Sequence, residues 1–100
     1  MLLPFQMNDL MHDVVRDVLR RHEHGAPVDM VIDRLRSMGY VVEPYSTMQW
    51  YPKDGQRMSM DCWYVGEFNV HVAIWETGPR YVDHMGVAKG GRFDSHNGGV

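Results

Sequence analysis

Residues 57–75 read RMSMDCWYVGEFNVHVAIW, and this stretch decides the fold class. From Phe68 to Trp75, apolar residues recur at every second position, which is typical of a β-strand with one buried face. Arg57–Tyr64 has a similar alternation, and only residues 65–67 separate the two segments. The stretch therefore predicts an antiparallel β-hairpin at the centre of a sheet.

Shorter segments with strand character flank this hairpin on both sides. They are Tyr40–Val42, Met48–Tyr51 and Arg80–His84. Residues 54–55 are Asp-Gly, the dipeptide most typical of a tight hairpin turn. We expect Pro44 to end the first of these strands or to confine it to an edge. Because consecutive strands usually become neighbours, the sequence predicts an antiparallel meander of three to five strands.

Before residue 40 the apolar residues recur with the period of a helix. A first helix is expected over Asp9–His22, with Asn8 as its N-cap. A second is expected to begin near Pro27 and to end at Gly39, since proline suits a first helical position and glycine the position after the last turn. The fold class is therefore predicted as α+β, with two N-terminal amphipathic helices packed on one face of the sheet.

Length and composition predict one domain. The chain has 100 residues, of which 44% are hydrophobic and 23% charged, as in ordinary globular domains. Residues 1–88 are expected to form the domain, and the glycine-rich residues 89–100 a flexible tail. The formal net charge of −3 does not favour nucleic acid as a partner. Neither a membrane span nor a secretory signal peptide is expected.

Side-chain alternation assigns the two faces of the hairpin. With a three-residue loop at 65–67, the expected core side holds the apolar set of each strand: Met58, Met60, Cys62, Tyr64, Phe68, Val70, Val72 and Ile74. The expected outer side holds aromatic and charged residues of the hairpin and of the next strand: Arg57, Asp61, Trp63, His71, Trp75 and Arg80.

This expected outer face favours a binding function. Trp, Tyr, Met and Arg dominate interface hot spots, and soluble monomers seldom leave such a patch bare. The sequence therefore predicts a small, non-enzymatic protein-binding module whose partner is another protein or a second copy, with no cofactor. In size and style the chain resembles accessory or inhibitor proteins of phages and mobile elements that act by stoichiometric contact.

Two alternative functions stay open. Arg34 and Arg36, on the second of two helices that precede strands, give a loose similarity to winged-helix DNA-binding regulators. In the expected register, Asp61, His71 and His84 form a row across three strands. Two histidines and a carboxylate can bind a metal ion, so the row predicts a metal-binding or hydrolytic protein.

Cys62 raises the question of a thiol nucleophile. Asp61-Cys62 and His71–Ile74 resemble pieces of NlpC-type cell-wall cysteine peptidases, and that resemblance implies a Cys–His dyad. In that family the cysteine opens a helix and the histidine follows much later, whereas eight residues separate Cys62 from His71 here. Alternation is also expected to put the two on opposite faces. A core cysteine is therefore predicted, and because a lone thiol cannot form an internal disulfide, a cytoplasmic location is favoured.

Overall fold

Two helices and one antiparallel sheet make up the chain in a computed structural model that describes residues 2–22, 25–53, 56–76 and 79–91. The helices and strands, in chain order, are α1 (Pro4–Leu19), β1 (Ala26–Pro27), α2 (Val28–Ser37), β2 (Val42–Lys53), β3 (Gln56–Val65), β4 (Phe68–Glu76) and β5 (Arg80–Gly91). The strand order is β1-β5-β4-β3-β2. The predicted α+β class, with two N-terminal helices on a sheet, is confirmed. Neither described helix is long and apolar enough to cross a lipid bilayer.

Helix α1 begins earlier than the sequence predicts. Pro4 occupies the first turn, and the side chain of Gln6 accepts a hydrogen bond from the Leu3 N–H at 2.8 Å. The prediction that Asn8 caps this helix is wrong, because Asn8 lies inside it. The Asn8 side chain instead accepts a hydrogen bond from the Val87 N–H of β5 at 3.0 Å.

Helix α2 ends as predicted, at a glycine. Gly39 has φ +95°, a conformation that glycine adopts without strain. Its N–H donates to the Arg36 carbonyl at 2.9 Å, and the Tyr40 N–H donates to the Leu35 carbonyl at 3.2 Å. These two bonds form the Schellman motif, which satisfies carbonyl groups that the end of a helix leaves unpaired.

The edges of the sheet depart from the predicted strand boundaries. Of the two outcomes expected for Pro44, the position on an edge strand is confirmed and the end of the strand is not: β2 continues through it, with a register shift between Pro44 and Ser46. A proline and a bulge are tolerated there because β2 is an edge strand. β5 reaches Gly91, so the predicted tail begins within a strand, and residues 92–100 lie outside the described residues.

The turn between β3 and β4 has two residues, not the predicted three. Val65 pairs with Phe68, which leaves Gly66 and Glu67 as the turn. Gly66 has φ +59°, as a two-residue type II′ hairpin turn requires at its first central position. Shortening the loop by one residue moves every side chain of β3 to the opposite face relative to β4.

The shorter turn reverses the predicted faces of β3. Trp63 pairs with Val70 and is fully buried in the core beneath the two helices. We call this side the helix-covered face. The opposite side, the helix-free face, carries Trp75 together with the set that the sequence placed in the core: Met58, Met60, Cys62 and Tyr64. The prediction that Trp63 and Trp75 share an outer face is therefore wrong.

The two tryptophans should differ sharply in their contribution to stability. Trp63→Ala is expected to lower the free energy of unfolding by about 3–5 kcal/mol, because it leaves a large cavity in the core. Trp75 is only partly buried, so Trp75→Ala should cost about 1–2 kcal/mol. Urea unfolding followed by circular dichroism measures both values, and equal losses would contradict this assignment of the faces.

Candidate functional site

The six residues predicted to form one interface lie on two faces. Four belong to the helix-covered face: Arg57, Asp61, Trp63 and Arg80. The other two, His71 and Trp75, lie on the helix-free face. The structure therefore brings together the first four and separates them from the last two.

Asp61 is the centre of the polar cluster on the helix-covered face. The residue is only 4% exposed. One carboxylate oxygen accepts a hydrogen bond from the Thr47 hydroxyl at 2.8 Å. The other accepts from the Trp63 indole N–H at 3.3 Å and lies 3.5 Å from the Arg80 guanidinium. These donors and the nearby positive charge compensate for the burial of the carboxylate.

Glu76 is the second carboxylate of this cluster. Its Oε1 accepts from the Ser59 hydroxyl at 2.6 Å and from Arg80 Nε at 3.0 Å, so Arg80 bridges the two carboxylates. Burial raises the pKa of Glu76, but the hydrogen bonds and the charges of Arg80 and Arg57 outweigh it and hold that pKa below its usual value. A carboxylate with a lowered pKa is a weak base, so it does not activate the Ser59 hydroxyl.

The predicted Asp61–His71–His84 row does not form. The cross-strand neighbours of His71 are Cys62 and Gly86. Asp61 precedes Cys62 by one position and therefore lies on the helix-covered face. His84 pairs with Ala73, two residues after His71. In the part of the chain that the structure describes, no group of three or more His, Cys, Asp or Glu residues could hold a metal ion.

Cys62 and His71 lie directly opposite each other on the helix-free face, so the expectation that they occupy opposite faces is wrong. Burial raises the pKa of the Cys62 thiol, a hydrogen bond with Tyr45 lowers it, the charge of Asp61 raises it, and the net pKa is above its usual value. Burial lowers the pKa of His71. The pair is therefore neutral near pH 7, unlike the thiolate–imidazolium pair of a cysteine nucleophile.

One end of the helix-free face is formed by a pair of tyrosines. Tyr45 stacks on Tyr64 with ring centroids 4.2 Å apart and an interplanar angle of 15°. The Tyr45 hydroxyl donates to the side-chain oxygen of the buried Asn69 at 3.3 Å. Burial, with contributions from Cys62 and Tyr64, raises the pKa of Tyr45 to about 12. The hydroxyl therefore stays protonated and anchors the ring.

The other end of this face is formed by Trp75 and Tyr81, which are cross-strand partners. The Trp75 indole N–H donates to Asp83 at 3.1 Å. Tyr81 packs against Gly25, where a Cβ atom would lie 2.9 Å from its ring. Between the two aromatic pairs lie small and sulfur-containing side chains from neighbouring strands: Met48, Met60, Cys62 and Ala73.

The glycine at position 66 indicates which residues share this face, although the three-residue loop predicted from the sequence does not use it. Gly66 suits the first position of a two-residue turn, and that turn alone moves Met60 and Tyr64 to the side of Trp75.

The loose similarity to winged-helix proteins gains no support, because Arg34 pairs with Asp17 at 3.5 Å and Arg36 donates to a backbone carbonyl. No protein-family model, curated protein or solved structure matches this chain.

Cys62 should react slowly in the native protein. With a raised thiol pKa and 9% exposure, its alkylation by iodoacetamide at pH 8 should be at least about tenfold slower than in urea. Mass spectrometry over time measures the rate. A native rate equal to that in urea would instead indicate an activated thiol.

Glu76 should make the stability depend on pH in the acid range. Because its pKa is lower in the folded state than in the unfolded state, its stabilisation is complete above the unfolded value and is lost as the pH falls through the folded value. Glu76→Gln should therefore lower the free energy of unfolding by about 1–3 kcal/mol at neutral pH. The difference from the wild type should shrink below about pH 4.

Urea unfolding at a series of pH values measures this effect. Glu67→Gln is the matched control, because Glu67 is an exposed turn residue on the same hairpin. A difference between wild type and Glu76→Gln that does not change with pH would contradict the role assigned to the carboxylate.

Proposed function

We propose that the protein is a small, non-enzymatic module that binds another protein by stoichiometric contact through its helix-free face. The observation that carries this proposal is the pair of aromatic groups at the two ends of that face, Tyr45 with Tyr64 and Trp75 with Tyr81. Both helices pack on the other side of the sheet. Within the described residues, no helix or strand covers the aromatic side.

The composition of the helix-free face is that of a protein interface. Aromatic and methionine side chains are enriched where interfaces bury most area. The centre of this face is already buried at Cys62 and Ala73, and the exposed apolar side chains lie toward β2. Met48 is 56% exposed and Tyr45 is 38% exposed, so a partner that packs on this face buries apolar surface of both side chains. We expect the partner to present apolar or aromatic side chains.

The aromatic groups are held rigidly before any partner arrives. Tyr45 is anchored through Asn69, Trp75 through Asp83, and Tyr81 against the backbone of Gly25. Side chains that are already ordered lose little conformational entropy on binding, so more of the contact energy contributes to affinity.

The size of the face indicates a small interface. Four strands about 4.8 Å apart, each with roughly eight residues at about 3.3 Å rise, give an upper limit of about 500 Å² for its footprint. Buried residues such as Cys62 and Ala73 make the accessible part smaller. Stable complexes bury about 800 Å² per partner, and transient ones bury less. A single domain is therefore expected to bind with moderate affinity.

A non-enzymatic role agrees with the state of the ionisable groups. The carboxylates of Asp61 and Glu76 accept hydrogen bonds from neighbouring side chains, and the raised pKa of Cys62 keeps its thiol protonated near pH 7. Hydrogen bonds of this kind stabilise a fold, and a protonated thiol is not an activated nucleophile.

Substitution on the helix-free face should weaken partner binding without unfolding the protein. Trp75→Ala and His71→Ala are expected to weaken binding, the tryptophan change by roughly 30-fold, as loss of an interface hot spot does. Met30→Ala is the matched control, since Met30 is 47% exposed on α2, on the other side of the molecule.

The measurement has two steps. Immobilised wild type, the two variants and the control are first used to capture proteins from a lysate of the native host. A protein retained by wild type and Met30→Ala is then purified and titrated calorimetrically against all four. Equal affinity for all of them would place the interface elsewhere and refute the proposal.

A further inference from the structure

Strand β5 contains a β-bulge at Asp83. The register of β4 with β5 shifts between residues 73 and 74, which leaves Asp83 without a cross-strand partner on β4. Val82 and Met85 are both buried in the core, although they are three positions apart and regular alternation puts such residues on opposite faces. The extra residue of the bulge therefore keeps two consecutive polar side chains, Asp83 and His84, outside the core.

The bulge places the Asp83 carboxylate at the edge of the Trp75 ring. One carboxylate oxygen accepts a hydrogen bond from the indole N–H at 3.1 Å, and the other lies 2.9 Å from His84 Nδ1. Because an indole N–H points outward in the plane of its ring, the carboxylate leaves the ring faces clear. The Asp83 side chain is 43% exposed, and each of its oxygens can accept a further hydrogen bond.

Tyr81 adds a second ring beside this carboxylate. It is the cross-strand partner of Trp75, and a Cβ atom at Gly25 would lie 2.9 Å from its ring, so the ring has little freedom on that side. Trp75 and Tyr81 are both partly exposed. We call the side chains of Trp75, Tyr81 and Asp83 the aromatic–acidic corner of the helix-free face.

The charges of the molecule suit a positively charged ligand at this corner. None of the arginine side chains that the structure describes lies on the helix-free face. Those before residue 40 lie in the helices or directly after α1, and Arg57 and Arg80 lie on the helix-covered face. The whole chain has a formal net charge of −3. A protein with this charge balance attracts cationic partners more strongly than anionic ones.

We infer that the partner presents an arginine side chain to the aromatic–acidic corner. The inference rests on the proposed binding through the helix-free face and names the chemistry of the partner there. A planar guanidinium stacks on an aromatic ring and donates hydrogen bonds from its rim to a carboxylate. Trp75 supplies the ring face, and Asp83 supplies two acceptor oxygens at the edge of that ring.

Arginine fits this corner better than the other side chains that carry or resemble its charge. The lysine ammonium is a compact and strongly hydrated charge with no planar surface to stack on a ring. A neutral amide can stack, but it lacks the charge that a carboxylate attracts. We therefore expect the affinity of the corner to fall from arginine to lysine to a neutral analogue.

Model peptides test the corner without the native partner. The probe is acetyl-Gly-Gly-Arg-Gly-Gly-amide, in which the guanidinium is the only charge, and the matched peptide carries citrulline, the uncharged analogue of arginine. Nitrogen-15 NMR follows the indole N–H signal of Trp75, which is identified by its loss in Trp75→Phe. The arginine peptide should shift this signal saturably. The citrulline peptide should bind about fivefold more weakly, because it lacks the attraction to Asp83.

Asp83→Asn tests the carboxylate itself. Asparagine keeps an oxygen that can accept the indole N–H but loses the negative charge, so the dissociation constant of the arginine peptide should rise about fivefold with an unchanged circular dichroism spectrum. Asp33→Asn is the matched control, because it changes the net charge equally at an exposed position of α2. Its dissociation constant should stay within about twofold of wild type, since solvent screens distant surface charges.

Two results with the peptides overturn the inference. One is a citrulline peptide that binds as tightly as the arginine peptide, and the other is an Asp33→Asn variant that is weakened as much as Asp83→Asn.

The partner captured by wild type and Met30→Ala separates this inference from the proposed function. A partner that loses affinity for Trp75→Ala but not for Asp83→Asn binds the helix-free face without an arginine at the corner, so only this inference fails. A partner that binds both variants as tightly as wild type uses another surface, and the proposed function fails as well. Loss of affinity for both variants supports both.

Discussion

The two-residue turn at Gly66 and Glu67 is the constraint on which the rest of the structure depends. Side chains alternate along a strand, so the length of this turn decides which set of β3 residues meets the apolar set of β4. With Val65 opposite Phe68, Trp63 enters the core beneath the helices. The buried polar cluster on one face and the aromatic pairs on the other both follow from this register.

The same register accounts for the chemical state of the ionisable groups. It turns Asp61 toward the helix-covered face, where a hydroxyl and an indole N–H donate to the carboxylate and a guanidinium lies close by. It turns Cys62 toward His71, and burial there favours the neutral form of both groups. These side chains therefore take part in hydrogen bonds and packing that hold the strands of the sheet together.

The sheet separates two possible kinds of contact. Its helices cover one face, and β1 and Asn8 protect the edge at β5. Among the described residues, no helix or strand lies on the other face or beyond β2. Pairing of backbones along an edge and packing of side chains on a face draw on different forces, hydrogen bonds in one case and apolar burial in the other. The proposed partner binding uses a face of the sheet and therefore depends on apolar burial.

The sequence by itself determined the features that depend on local chemistry. The strand at Phe68–Trp75 follows from its apolar period, and the end of α2 follows from Gly39. The face of β3 could not be predicted, because apolar residues occur on both of its sides, Met58 and Cys62 on one and Trp63 and Val65 on the other. The two residues of β1 are too few to show a period. Tertiary structure decided these points, because a register is selected by the summed pairing of a whole hairpin and by the helices that cover it.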